Sequence, residues 1–258
     1  MSNPVIYFPA WQRPHWQPSD EETILQFYVF GNFQPTRVPS AVYGSDGLPE
    51  DVQLSSHHHH VLRDWEGYPL KSPLGDLFKN DAPEAYEKAL AAPQVLVLHG
   101  RFKDQADTGY LRDTFGVLAG LLDIGGVAIL DPQILSLFDA NEWRQRYLIK
   151  DGAPLRHHVL ILRDEENEPG RYWIHTRGLR KFGRADISLH NVPERDVDRA
   201  GALCQRLVEL EALGAHFVDG QTLDVDGLFG GLTAELGGGY DDPDFNNTYV
   251  AFHWPDEE

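Results

Sequence analysis

The chain has 258 residues, 41% of them apolar and 11% aromatic, which is enough apolar bulk for a folded core and excludes an acidic disordered chain. Forty Asp and Glu against 22 Lys and Arg give a formal charge of −18, a surface that repels nucleic acid and anionic membranes and suits a basic partner. The single cysteine, Cys204, excludes an internal disulfide framework and a multi-cysteine zinc site. No apolar run approaches the roughly 20 residues of a membrane span, and the start, MSNPVIYFPAWQRPHW, lacks a signal-peptide pattern, so a cytoplasmic protein is expected.

Ten prolines divide the first 90 residues into short pieces. ILQFYVF, 24–30, reads as a strand, and a turn-rich stretch follows to about Pro49. PEAYEKALA, 83–91, places Pro at a helix start with good helix formers behind it. VLVLHG, 95–100, predicts a central strand, and 106–124 spaces Leu111, Phe115, Leu118, Leu121 and Leu122 as one helical stripe. GGVAILD, 125–131, reads as the next strand, and further helix is expected over 132–149. HHVLILRD, 157–164, and RYWIHT, 171–176, predict a hairpin across the polar loop EENEPG, with ISLHNV, 187–192, as a further strand. The helix over 193–214 starts at Pro193, ends at Gly214 and buries Val197, Ala200, Leu203, Leu207 and Leu210. TLDV, 222–225, and NNTYVAFHW, 246–254, read as closing strands around a Gly-rich turn.

These elements predict an α+β fold, a mixed and largely antiparallel sheet with helices packed on it. Two portions are expected: an aromatic- and Pro-rich one over 1–93, packed on the rest or separate, and a main domain over 94–258. The units near 95–131 and 157–225 are candidate halves of one sheet.

Charge is uneven along the chain. Residues 1–93 carry a net −6, residues 94–206 a net of zero, and residues 207–258 carry 12 acids and no Lys or Arg. Among those acids, Asp224, Asp226, Asp241, Asp242 and Asp244 are candidate contacts for the Lys and Arg of a partner, with Tyr240 or Phe245 as an aromatic anchor. The basic cluster RGLRKFGR, 177–184, is expected in a short helical turn, balancing neighbouring acids.

Several motifs point to chemistry only weakly. His57 to His60 read as a solvated loop, because adjacent strand residues face opposite ways and no HExxH or cysteine partner is near. His99, His157, His158 and His175 sit at expected strand ends and would serve a metal-dependent hydrolase if the fold gathered them. No GxSxG elbow, Walker lysine or EF-hand spacing occurs, and Cys204 falls in a helix's apolar stripe as a core residue. No catalytic residue, metal or cofactor is assigned from these patterns.

The segment RYWIHTRGLRKFGRADISLHNVP resembles a bacterial family with a domain of unknown function, through Trp173, His175, Thr176, Gly178, Leu179, Phe182, Gly183 and Asp186. LLDIGGVAILDPQ, 121–133, and FNNTYVAFHW, 245–254, are similar to its helix-to-strand step and closing strand. The likeness spans about residues 94–254. Members occur among immunity proteins of bacterial toxin systems, including type VI secretion. The resemblance therefore implies a non-enzymatic immunity protein that binds a basic toxin one-to-one, such as a nuclease, without nucleic acid or membrane as partner. The alternatives are the histidine-based hydrolase and a regulatory interaction module unrelated to toxins.

Overall fold

An apolar run such as Ile24–Phe30 can be buried on both faces only at the centre of a sheet, and the computed structural model puts it there. The structure describes residues 8–71, 73–149, 152–226, 228 and 230–255. In chain order the strands and α-helices are β1 (Glu22–Gly31), β2 (Val52–His58), α1 (His59–Leu62), α2 (Leu74–Asp81), α3 (Pro83–Ala91), β3 (Gln94–Lys103), α4 (Gly109–Asp123), β4 (Gly126–Asp131), β5 (Ser136–Asp139) and α5 (Ala140–Tyr147). They continue with β6 (Leu160–Glu165), β7 (Arg171–Arg177), β8 (Asp186–Pro193), α6 (Val197–Ala212), β9 (Thr222–Leu223), β10 (Leu232–Thr233), β11 (Glu235–Gly239) and β12 (Asn247–His253). The fold is α+β, with largely antiparallel mixed sheets, as the sequence predicts.

The chain forms two compact units. One comprises Met1–Trp11, Ile24–Phe102 and Asp107–His157; the other comprises Gln12–Thr23, Lys103–Ala106 and His158–Glu258. The expected boundary at residue 93 instead falls within one sheet, because β3 begins at Gln94 and pairs with β2 from His58↔Gln94 to Val52↔Gly100. The stretches expected to be halves of one sheet lie in two separate five-stranded sheets.

The first unit's sheet has the order β2-β3-β1-β4-β5. One cluster packs Tyr28, Phe30, Val95, Ala128, Leu130 and Leu137 from the strands with Phe78, Ala85 and Ala89 from α2 and α3. Phe27 of β1 meets Phe115 of α4 edge-on at 5.5 Å, and Phe115 packs with Trp143 and Tyr147 of α5. The helix expected over 132–149 is divided: Ser136–Asp139 pairs with β4, and α5 starts only at Ala140. Its start is a capping box, in which the Asp139 side chain accepts from the Glu142 N–H and the Glu142 side chain accepts from the Asp139 N–H.

The histidine run is not a uniform loop. His57 and His58 end β2, and His59 turns into the core. Its Nδ1 lies 2.6 Å from the Ala92 carbonyl and its Nε2 lies 2.5 Å from the Tyr68 hydroxyl. Burial lowers its pKa. Both ring nitrogens are thus engaged by protein groups.

The second unit's sheet has the order β11-β12-β8-β7-β6, antiparallel except that β12 runs parallel to β8. Helix α6 covers one face, where Ala200, Cys204, Leu207 and Val208 are buried with Ile174, Leu189, Val250 and Phe252. Burial drives the Cys204 thiol up to about 12, which fits the expected core role. Two expectations change here. His157 and His158 lie in a 3-10 turn ahead of β6, and the Gly-rich segment contains β10 and the edge strand β11.

Three chain segments meet in this unit around one carboxylate. Asp104, its side chain 2% exposed, accepts from Arg13 at 2.6 Å, from the Trp16 indole at 2.8 Å, and pairs with Arg184 at 2.8 Å. Arg13 also donates to the carbonyls of Gln105, Phe182 and Ala212, and Arg184 to those of Gln17, Gly214 and Ala215. The two guanidinium groups thereby satisfy the open carbonyls where α6 ends, the favourable place for positive charge. Gly214 is required at this end: its φ is +102°, and a Cβ would lie 2.5 Å from Trp16 Cα.

Removing one member of a buried ionic group leaves the others uncompensated. Asp104→Asn is expected to destabilise the second unit by about 3–5 kcal/mol. Urea unfolding followed by Trp16-sensitive fluorescence checks this, and a change under about 1 kcal/mol would refute the role.

Candidate functional site

The face of the second sheet opposite α6 carries a row of rings, flanked by Leu160 and Leu162 of β6. Strand alternation puts Trp173 and His175 of β7, Ser188 and His190 of β8, and Tyr249, Ala251 and His253 of β12 on this side. The rings form a column. His175 stacks on Trp173 at 3.7 Å and 8°, Trp173 lies parallel to His190 at 5.5 Å, and His190 stacks on His253 at 5.3 Å.

Each histidine has a carboxylate partner. His175 Nε2 lies 2.8 Å from Asp164, His190 Nδ1 lies 3.0 Å from Glu166, and His253 Nε2 lies 3.7 Å from Glu235. Burial, the largest influence, lowers the pKa of His175, against the raising effect of Asp164. Among the described residues its buried Nδ1 has no hydrogen-bond partner, so the neutral ring with Nε2–H donating to Asp164 is the form the site favours.

The loop between β11 and β12 folds over this face. Phe245, 6% exposed, sits at 5.8 Å from the Trp173 ring, 5.7 Å from His175 and 4.8 Å from Tyr249. It therefore roots the loop and is not displayed to solvent. Asp242 Oδ1 accepts from the backbone N–H of Asp244 and Phe245 and shapes the turn. Tyr240 is half-buried; its hydroxyl accepts from the Glu22 N–H and its ring lies under Arg180 at 4.3 Å. Arg177 donates to the Asp244 carbonyl, and Arg180 to the Asn246 carbonyl at 2.6 Å.

The expected partner-binding residues thus occupy two loops. Tyr240, Asp241, Asp242, Asp244 and Phe245 belong to the loop on the ring face. Asp224 and Asp226 follow β9 and line a groove with Arg199, Leu203, Arg206 and Leu210 of α6, where Arg199 donates to the Asp226 carbonyl. Asp241 and Asp244 are exposed, and among the described residues neither carboxylate is in an ion pair.

The basic cluster is divided by depth. Arg177 and Arg180 hold the acidic loop, whereas Lys181 and Arg184 are buried, with Lys181 Nζ donating to the His158 carbonyl. Beneath them Asp186 accepts from Thr176, Asn247 and the Leu179 N–H, and burial raises its pKa to about 6. The resemblance-bearing residues Thr176, Leu179, Phe182 and Asp186 are therefore core and turn groups.

Of the four expected strand-end histidines, His99 is exposed on β3 and His157 bonds the Arg146 carbonyl in the first unit, while His158 and His175 belong to the second. Among the described residues no group of three or more His, Cys, Asp or Glu is placed to hold a metal. His190, Ser188 and Glu166 were not singled out by sequence. Their only sequence signal is the i, i+2 spacing of Ser188 and His190 on one strand.

Those three residues have the connectivity of a hydrolytic triad. Ser188 Oγ lies 2.9 Å from His190 Nε2, and His190 Nδ1 contacts Glu166 Oε1. Access is what differs. Ser188 is 0% exposed, and the Trp173 indole donates to its Oγ at 2.7 Å. Attack on a carbonyl needs that oxygen within reach of a substrate. The chain is best described here as a hydrogen-bonded relay, Trp173 to Ser188 to His190 to Glu166, that orients the rings.

Comparison with protein-family models, curated proteins and solved structures finds no match to this chain.

Two outcomes follow from this geometry. A fluorophosphonate probe is expected to leave Ser188 unlabelled, and stoichiometric labelling lost in Ser188→Ala would show that the face opens. The lowered pKa of His175 means that the folded state binds its proton less readily than the unfolded chain, whose value is near 6.5. Its stabilising contribution is whole above that pH and declines below it. The stability gap between the wild type and His175→Gln should therefore narrow from about pH 7.5 to about pH 5; a constant gap in thermal melting would contradict the assignment.

Proposed function

We propose that this chain is an immunity protein that binds a basic antibacterial toxin one-to-one and blocks it by direct contact, a nuclease being the toxin class its charge suits best. The observation carrying this reading is the Tyr240–Phe245 loop: Asp241 and Asp244 stand exposed on a turn rooted by Phe245 and tied by Arg177 and Arg180. A loop ordered before contact loses little entropy on binding, and its carboxylates present the charge that a nuclease cleft otherwise takes from phosphates. The formal charge of −18 adds long-range attraction for a basic partner. The resemblance of residues 171–193 to a family found among immunity proteins points the same way.

Among the described residues no helix is long and apolar enough to cross a membrane. Cytoplasmic action against a toxin delivered by type VI secretion is part of the same proposal. The groove bearing Asp224 and Asp226 has Arg199 and Arg206 beside it, so these acids contribute less net charge than their position in the sequence implies.

The test is co-expression with the product of the adjacent candidate toxin gene, followed by size exclusion at low and high salt. A stable complex with rescued growth supports immunity; a folded chain that neither binds nor protects refutes it. Asp241→Lys with Asp244→Lys should slow association by about ten- to a hundredfold at low salt, with a smaller effect at high salt. An unchanged on-rate would remove the loop from the interface.

A further inference from the structure

The ring column has two unlike ends. His175 is sealed beneath Phe245. At the other end the His253 side chain is 58% exposed, and Glu235 beside it is 65% exposed. Strand β11 adds no further ring. It contributes Glu235 and then Gly237, where a Cβ would lie 2.7 Å from the Tyr249 ring, so Tyr249 lies directly over the strand. His253 is thus the last plane of the column, backed by His190 at 5.3 Å and 21°.

An exposed flat ring with a carboxylate at its edge suits one cation better than the other. A guanidinium group is planar: it stacks on the ring and gives two parallel N–H groups to the carboxylate. An ammonium gains only the charge. The surroundings favour a cation of either kind. This face and its loop carry Asp164, Glu166, Glu235, Asp241, Asp242 and Asp244. Of the nearby bases, Arg171 lies 3.9 Å from Glu168, and Arg177 and Arg180 donate to main-chain carbonyls.

We propose that His253 and Glu235 form a seat for an arginine side chain of a basic protein partner, the guanidinium stacked on the imidazole and paired with the carboxylate. The inference rests on the immunity reading for the partner's identity, and it extends the contact surface from the acidic loop to the β11–β12 edge.

The full chain is titrated with two short blocked peptides, Gly-Arg-Gly amide and Gly-Lys-Gly amide, at about pH 8, above the ordinary histidine range. The histidine ring resonances are followed by NMR. The arginine peptide is expected to shift His253 and, less strongly, His190 in a saturable way, and to bind at least about threefold tighter than the lysine peptide. Glu235→Gln should weaken it about tenfold, and His253→Ala should abolish saturable binding while the His175 and Trp173 signals report an intact face. Equal binding of the two peptides, or wild-type binding by both variants, overturns the proposal. The titration does not involve the toxin. A failed seat therefore leaves toxin complex formation as a separate result, and a failed complex leaves the peptide shifts intact.

Discussion

The second unit depends on the sharing of Asp104 by two arginines from distant parts of the chain. Arg13 and Arg184 are 171 positions apart by their numbering, yet both reach this carboxylate within 2.8 Å. Desolvating three charges is costly, and it is offset only where the remaining donors are also used. Here they are, on the carbonyls of Gln17, Gln105, Phe182, Ala212, Gly214 and Ala215. Glu211 is buried beside this group with Arg184 at 4.0 Å, and burial raises its pKa well above the usual carboxylate range.

That ionic group holds the end of α6, and α6 in turn gives the second sheet its two different faces. Its apolar stripe packs on β7 and β8, where Ile174 and Leu189 are buried. The opposite face is then left for groups a hydrophobic core would not hold: three histidines with acidic partners, an indole, and a serine that links indole to imidazole. Every ring but the last is supported on both sides. The acidic loop is likewise built from within, since Asp242 is used to turn it and Phe245 to root it, which leaves Asp241 and Asp244 for solvent or a partner.

Much of the fold was legible because local signals and burial agree. Pro83 marks a helix start, Gly214 follows a helix end, and the apolar runs at 24–30, 95–100 and 187–192 become inner strands, whereas Pro193 closes β8 and α6 starts only at Val197, after a 3-10 turn. Where they disagree, the reading failed for identifiable reasons. ILSLF is compatible with either helix or strand, and pairing with β4 decides it; the helix begins only after that strand, at the capping box of Asp139 and Glu142. ELGGG has poor strand propensity, yet it forms β11 because Tyr249 needs a surface without side chains to lie on. The candidate site was legible in part: the acidic loop and His175 were named, but His190, Glu166, His253 and Glu235 come from four strands or their flanks and share no sequence window.

By itself the sequence determined the α+β class, the burial of Cys204, the strong negative charge and the helix boundaries that Pro and Gly impose, because each follows from composition or from residues within a few positions of one another. Only the tertiary structure decided which charges remain free. The 52 residues without a base acquire Arg177, Arg180 and Arg199 from outside that stretch, and the basic cluster loses Lys181 and Arg184 to the interior. Electrostatic and stacking energies depend on distance in space, and neighbours in a folded sheet need not be neighbours in the chain.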